Sequence, residues 1–506
     1  MVFCIAPLSL AEEDDWFIRA EEPPKHKAAR GAISSAESWG VGAGPPGFSI
    51  PMSQTERKKP PEPDYLVSKV IWGEEATFTD TTGKTLPLAD WNMSPTDLRT
   101  LVKEGLAVGG QPYHWSNTNL GTFSYDPRTL PCLVISGVRT IRMHDGQIKA
   151  LREYVLRGGM LIVDSIYGSP HFYESSKRVM QRMFPEEAVR VLPSDHPLFH
   201  VFHDIDEVTY PEEPERKKPY IEAIYVGSRI GILISKYGLG TGWEGKQNVF
   251  PLLKKKGLKP LYYDIESSRR IAANICGYIV GYADAGAVEG TPEMYGLPDQ
   301  KTPSDEFVFA QIKHDGAWNV HPNAASTLLN RLRSHSSIRV NLKRVVVDPD
   351  VDNLRRYPCL YLTGMDTFKF TPKAISALRR YVEGGGRIVV NNGLGMATFH
   401  QAVLAELQKI VPDSPLAQLP ADHEIFRSLF TIEQVAYTPT LQKNEPELNG
   451  RPVLFGAKVD DDYRIIYSPY DMEAGWLNSF YPMMKGYQNE SALQMGMNLI
   501  TYVMTH

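Results

Sequence analysis

Asp164-Ser165 closes the apolar run Leu161-Ile162-Val163 and sets a carboxylate beside a hydroxyl, with His171 a short way on. Serine, histidine and carboxylate are the parts of an activated nucleophile, which makes Ser165 and Asp164 the catalytic candidates. Groups this close in sequence seldom form such a triad. Asp and Ser also cap helices, and their types favour capping of the helix that follows. Asp195-His196 and Asp422-His423 invite a general-base or metal reading. Two ligands fall short of a metal site. Each pair sits in Leu-Pro-x-Asp-His-x-Leu/Ile-Phe, which reads as a turn entering a short helix, with Asp as the cap and Phe199 or Phe426 as the buried anchor. No metal and no cofactor are expected. Gly238-Leu239-Gly240-Thr241-Gly242-Trp243 has the glycine density of a phosphate cradle without the dinucleotide-type setting. Its counterpart Asp471-Met472-Glu473-Ala474-Gly475-Trp476 would repel phosphate, so both read as tight loops around a buried tryptophan.

These stretches come in pairs because the chain carries one long segment twice. Pro131-Cys132-Leu133-Val134-Ile135-Ser136-Gly137 recurs as Pro358-Cys359-Leu360-Tyr361-Leu362-Thr363-Gly364, an offset of 358 − 131 = 227 that holds from Val208 back to Pro131. A period this long marks a duplicated domain rather than a solenoid. Later landmarks repeat too: Ser235, Tyr237, Gly242 and Trp243 match Ser468, Tyr470, Gly475 and Trp476, and upstream Trp91-Asn92 matches Trp318-Asn319.

The elements that must position these residues alternate. Phe307 to Ile312, Val345 to Val347, Cys359 to Thr363 and Arg387 to Val390 read as strands, and Pro322 to Leu332 and Thr398 to Ile410 as helices. The clearest helix opens at Thr371-Pro372, presents Ile375, Leu378, Tyr381 and Val382, and stops at Gly384-Gly385-Gly386. Copy one matches it with Ile148, Leu151, Tyr154 and Val155 before Gly158-Gly159. Strands buried on both faces and alternating with helices predict an α/β fold: two tandem domains, each a mainly parallel sheet flanked by helices. The predicted divisions are an export-signal remnant at 1–11, an extended arm at 12–64, copy one at 65–285, a linker at 286–306 and copy two at 307–506.

The 506 residues carry 54 basic and 59 acidic side chains, a net charge of −5 that gives no pull toward nucleic acid. Cys132, Cys276 and Cys359 lie in apolar runs and read as buried small hydrophobes, without zinc spacing. Val2 to Ala11 is apolar and ends in small residues before Glu12-Glu13-Asp14-Asp15. It resembles the end of a secretory signal lacking its basic region, so a periplasmic or extracellular bacterial protein is expected. No other stretch reads as a membrane span. The Pro/Gly-rich arm 12–64 cannot bury enough surface to fold alone, and with the Lys254-Lys255-Lys256 insertion at 244–262 it is the expected contact for other protein subunits.

The set comprising Trp318-Asn319, Asp348-Pro349, Tyr357-Pro358, Thr363-Gly364, Gly385-Gly386, Leu419-Pro420, Asp422-His423, Tyr467-Ser468-Pro469-Tyr470-Asp471 and Gly475-Trp476 resembles a bacterial family labelled domain of unknown function 4159. The resemblance covers copy two and most of copy one. It implies the class I glutamine-amidotransferase-like superfold, so two tandem flavodoxin-like domains with open sheets, and no agreed activity. In that superfold the strand-to-helix turn after the glycine-stopped helix carries a cysteine on a strained elbow. Neither Asp164-Ser165-Ile166-Tyr167-Gly168 nor Asn391-Asn392-Gly393-Leu394-Gly395 holds one. The leading expectation is therefore a non-catalytic exported scaffold or accessory subunit. A hydrolase or amidotransferase-like enzyme using Ser165 is the alternative. Small-ligand or carbohydrate binding is a third reading. Its candidates at the strand ends are Trp91, Ser136, Gly137, Asp164 and Trp243 in copy one, and Trp318, Thr363, Gly364, Asn391, Asn392 and Trp476 in copy two.

Overall fold

The computed structural model describes residues 65–73, 75–79, 85–245, 259–289, 306–479 and 481–506. The signal and arm readings at 1–64, most of the insertion and most of the linker fall outside the described residues. Copy one comprises β1 (Tyr65–Ile71), β2 (Glu75–Thr79), β3 (Thr85–Ala89), α1 (Asp97–Gly109), β4 (His114–Asn119), β5 (Cys132–Gly137), α2 (Asp145–Leu156), β6 (Met160–Ser165), α3 (Pro170–Met183), β7 (Arg190–Val191), β8 (Glu222–Val226), β9 (Arg229–Ser235), α4 (Leu239–Glu244) and α5 (Ile265–Glu289). Copy two comprises β10 (Phe307–Ile312), α6 (Ala324–His335), β11 (Val340–Val347), β12 (Cys359–Gly364), α7 (Pro372–Glu383), β13 (Arg387–Asn392), α8 (Ala397–Ile410), β14 (Ala417–Gln418), α9 (Pro439–Asn444), β15 (Phe455–Val459), β16 (Asp462–Ser468), α10 (Glu473–Trp476) and α11 (Asn489–Thr505).

Each copy builds a sheet of seven strands, in the orders β4-β1-β5-β6-β9-β8-β7 and β11-β10-β12-β13-β16-β15-β14. Ranked within each sheet, both run 2-1-3-4-7-6-5, and the first four positions are those of a flavodoxin-type sheet. β5, β6, β12 and β13 are buried along their whole length, as parallel strands covered by helices on both faces must be. At one edge the pairing turns antiparallel, β7 with β8 and β8 with β9 in copy one, β14 with β15 and β15 with β16 in copy two.

The glycine stop has a packing reason beyond ending the helix. A Cβ on Gly159 or Gly386 would lie 2.3 Å from the ring of Tyr154 or Tyr381. Each ring is tucked under that glycine and donates its hydroxyl proton to a backbone carbonyl, Leu130 O at 2.7 Å and Tyr357 O at 2.9 Å. Thr371 caps α7 as expected, its hydroxyl accepting from Ala374 N at 3.0 Å. In the Asp-His turns the cap is the histidine rather than the expected aspartate: His196 Nδ1 accepts from Leu198 N, and His423 Nδ1 from Ile425 N. Phe199 and Phe426 are buried anchors.

Asp195 instead joins the copies. Its carboxylate accepts from Thr398 N at 2.8 Å and Thr398 Oγ1 at 2.5 Å, capping α8 of copy two. Beside it Tyr278 and Tyr282 of α5 stack at 4.0 Å, and Tyr282 donates to Pro482 O at 3.0 Å. One apolar core runs through both copies here. Among the described residues α5 has the length and, over an 18-residue window within Ile265–Val288, the mean hydropathy (1.3) to cross a membrane, and 61% of that window is buried inside the molecule.

Candidate functional site

An open parallel sheet binds ligands where the strand order reverses, between the carboxyl ends of β1 and β5 or of β10 and β12. Both crevices are filled by the chain itself. In copy one Trp72 donates Nε1–H to Ser136 O at 3.0 Å and packs on Phe172 with ring centroids 5.6 Å apart. In copy two His314 holds the matching place, Nε2–H donating to Thr363 O at 2.8 Å while Nδ1 accepts from Gly316 N at 3.0 Å. That pattern needs a neutral imidazole, and burial pushes His314 down to about 4.

The turn after β6 and β13 is a strained elbow of the kind that presents a nucleophile in α/β hydrolases. Tyr167 and Leu394 both adopt φ 55°, followed by glycines at 68° and 69°. Left-handed backbone costs a side-chain-bearing residue roughly 1–2 kcal/mol. Each elbow is held by a bond to its own N–H: Tyr167 N donates to Thr241 Oγ1 at 2.9 Å, and Leu394 N to Asp471 Oδ2 at 3.0 Å. The residues in the strained position are thus a buried phenol and a buried aliphatic.

Around these elbows each copy gathers a buried polar cluster, built from non-equivalent positions. In copy two Asp471 is the hub. Its Oδ1 accepts from Asn391 Nδ2 at 3.1 Å and Glu473 N at 2.8 Å, and its Oδ2 faces His321 Nε2 at 3.1 Å besides Leu394 N. Burial alone would raise the Asp471 carboxyl, but His321 and these donors outweigh it and hold the group below its ordinary value. Glu473 accepts from Thr363 Oγ1 at 3.1 Å, and burial pushes it up to about 7. In copy one Lys69 Nζ, almost fully buried, donates to Asp97 at 2.7 Å and to Ser94 O at 2.6 Å. Asp164 accepts from Leu239 N and Gly240 N, both at 2.8 Å, and burial pushes it up to about 7. Burial also raises Asp97 and Glu244, Lys69 opposing it at both.

Asp164 therefore caps α4, not the helix that follows it, and both Asp164-Ser165 and Asn391-Asn392 are the last strand residues rather than turn. Ser165 is fully buried and its Oγ has no hydrogen-bond partner among the described residues, whereas His171 is exposed. Of the proposed pocket residues, the structure brings Thr363 and Asn391 into the Asp471 cluster and Asp164 into that of copy one. Ser136 offers only its carbonyl, to Trp72, and Gly137 and Gly364 lie against Phe172 and Phe399. Asn392 ties down the elbow through Met396 O and Pro469 O, both at 3.1 Å. Trp91 is buried without a partner for Nε1 among the described residues, and Trp318 carries the Arg344 guanidinium on its face. Trp243 and Trp476 face the last helix or its entry, donating to Ser268 O at 2.7 Å and Ala492 O at 2.8 Å. Sequence reading passed over Lys69, Asp97, His321, Asp471 and Glu473 as a group. Their signal lay in the repeat itself: Asp164 against Asn391, Ser94 against His321, and Gly238 and Gly240 against Asp471 and Glu473.

No curated protein matches the chain. The family model described as Domain of unknown function (DUF4159) matches residues 84–280 and again 308–504, once in each copy, and on that double match the chain belongs to this family.

Proposed function

We propose that the chain is a non-catalytic exported scaffold or accessory subunit of a larger assembly, made of two amidotransferase-like domains that keep the elbow and have lost its chemistry. The observation that carries this reading is the pair of filled crevices: Trp72 and His314 occupy the place where such sheets take a ligand, each bonded to the carbonyl at the end of the neighbouring strand. The elbows add to it, since Tyr167 and Leu394 offer no nucleophile and the nearby carboxylates are spent on backbone N–H groups, on Lys69 and on His321. A buried polar network satisfied in this way fixes a loop and leaves little capacity for a substrate. Export is supported by the apolar run before Glu12, and subunit contacts through the arm 12–64 and the insertion 244–262 by their composition. The test is isolation of the native particle from cells followed by assay of ester, amide and glutamine hydrolysis. A co-purifying set of subunits and no turnover is the expected result; turnover by the isolated chain that Ser165→Ala abolishes would overturn it.

A further inference from the structure

His321 and the carboxylates of Asp471 and Glu473 each bring one ligand atom to within 4.8 Å of the others, all three side chains being buried. His321 leads into α6, while Asp471 and Glu473 open α10, so the three tie two separate loops together. The His321 Nε2 to Asp471 Oδ2 spacing of 3.1 Å suits two neighbouring donors on one ion, because atoms bound at about 2.1 Å and at right angles lie about 3.0 Å apart. The surroundings resemble an outer shell that orients ligands. Leu394 N and Glu473 N hold Asp471, Thr363 Oγ1 donates to Glu473, and Asn391 steadies Asp471 from the strand end.

The other copy shows what this place requires. There Lys69 supplies an ammonium, 2.6 Å from the carbonyl of Ser94, the counterpart of His321. A Cβ on Gly240, the counterpart of Glu473, would lie 3.1 Å from Asp97 Oδ2 and 2.9 Å from Asp164 Oδ2, so the Glu473 side chain enters the space where copy one keeps the carboxylate partner of Lys69. Copy two has Gln311 at the strand position of Lys69, and that amide is turned away, donating to Trp318 O at 2.9 Å and accepting from Arg344. We propose that His321, Asp471 and Glu473 bind a divalent first-row transition ion, Zn²⁺ or Mn²⁺, which does in copy two the structural work that the Lys69 ammonium does in copy one. A neutral imidazole with two carboxylates balances a divalent charge. One imidazole and hard oxygen donors fit these ions better than soft thiophilic ones. The inference is independent of whether the chain has an enzymatic role.

The experiment uses the full chain, stripped with chelator and dialysed against Zn²⁺, Mn²⁺ or Co²⁺, with bound metal counted by mass spectrometry of the digested protein. One equivalent per chain is expected, with Co²⁺ giving visible d–d absorption. At about a hundredfold excess over Kd, the metal raises the unfolding midpoint by roughly 5–10 °C. Glu473→Gln keeps the side chain's size and an oxygen for Thr363, and serves as the variant expected to fold; it and His321→Asn lose the equivalent. Asp422→Asn, in the exposed Asp-His turn, keeps it. Less than about a tenth of an equivalent of all three metals, or full retention by folded Glu473→Gln, overturns the proposal.

Discussion

Replacing Asp164 by asparagine isolates a proton that folding takes up. The Asp164 carboxyl moves from an ordinary 3.8 to about 7 because it is wholly buried, with the negative Asp97 adding to the rise and Lys69 and the N–H groups of Leu239 and Gly240 opposing it. The folded chain thus holds this proton more tightly than the unfolded one. Its contribution is fully present below pH 3.8, falls as pH rises toward about 7, and is gone above that. The difference 7 − 3.8 = 3.2, at about 1.36 kcal/mol per pH unit, gives an upper bound of roughly 4 kcal/mol. Asparagine is what copy two carries at this position, where Asn391 Oδ1 accepts from Met472 N at 2.9 Å, as Asp164 Oδ1 does from Leu239 N. In copy one its amide would face Gly240 N, a pH-independent loss of about 1–3 kcal/mol. Urea unfolding of the wild type and Asp164→Asn from pH 5 to pH 8 reads the outcome. The stability advantage of the wild type should shrink by about 1.4 kcal/mol per pH unit up to pH 7 and then level off. A gap that stays constant across the range would refute the assignment of a folding-linked proton to Asp164.

Ser165→Ala removes a buried hydroxyl with no partner among the described residues, so unfolding free energy should stay level or rise by up to about 1 kcal/mol, read by the same urea titration. Asp195→Ala strips α8 of its cap from the other copy, and calorimetry should show a loss of about 1–2 kcal/mol; with Thr398→Val already present only the share of the hydroxyl bond should be absent, because the backbone N–H of residue 398 still donates to Asp195. Gly386→Ala drives a methyl into the Tyr381 ring, whose hydroxyl is pinned on Tyr357 O, and should cost about 1–3 kcal/mol by chemical denaturation, with Gly159→Ala behaving alike in copy one.

Periodicity alone gave the alternating strands and helices, because β5, β6, β12 and β13 are apolar on both faces and the Tyr-Val and Gly-Gly landmarks repeat at one offset. The antiparallel edge β7-β8 and β14-β15 was not legible, since two-residue strands carry no pattern. The site was harder. Its polar residues are brought together by loops separated by up to 150 positions, as in the His321–Asp471 bond, and no local motif encodes that distance. Trp72 and His314 share no residue type, so their common role appears only once each is seen bonded to the matching carbonyl. The aspartate of each Asp-His turn has the type of a cap, while in copy one tertiary contact with Thr398 claims it and leaves the capping to His196.

Whether this chain works as a part of an assembly rather than as an enzyme is decided by the mass of the native particle in unfractionated, gently lysed cell extract. Mass photometry of the affinity-tagged chain at its natural abundance should give a particle well above one 506-residue chain, containing other subunits. A particle with the mass of a single chain, free of other proteins, would contradict it.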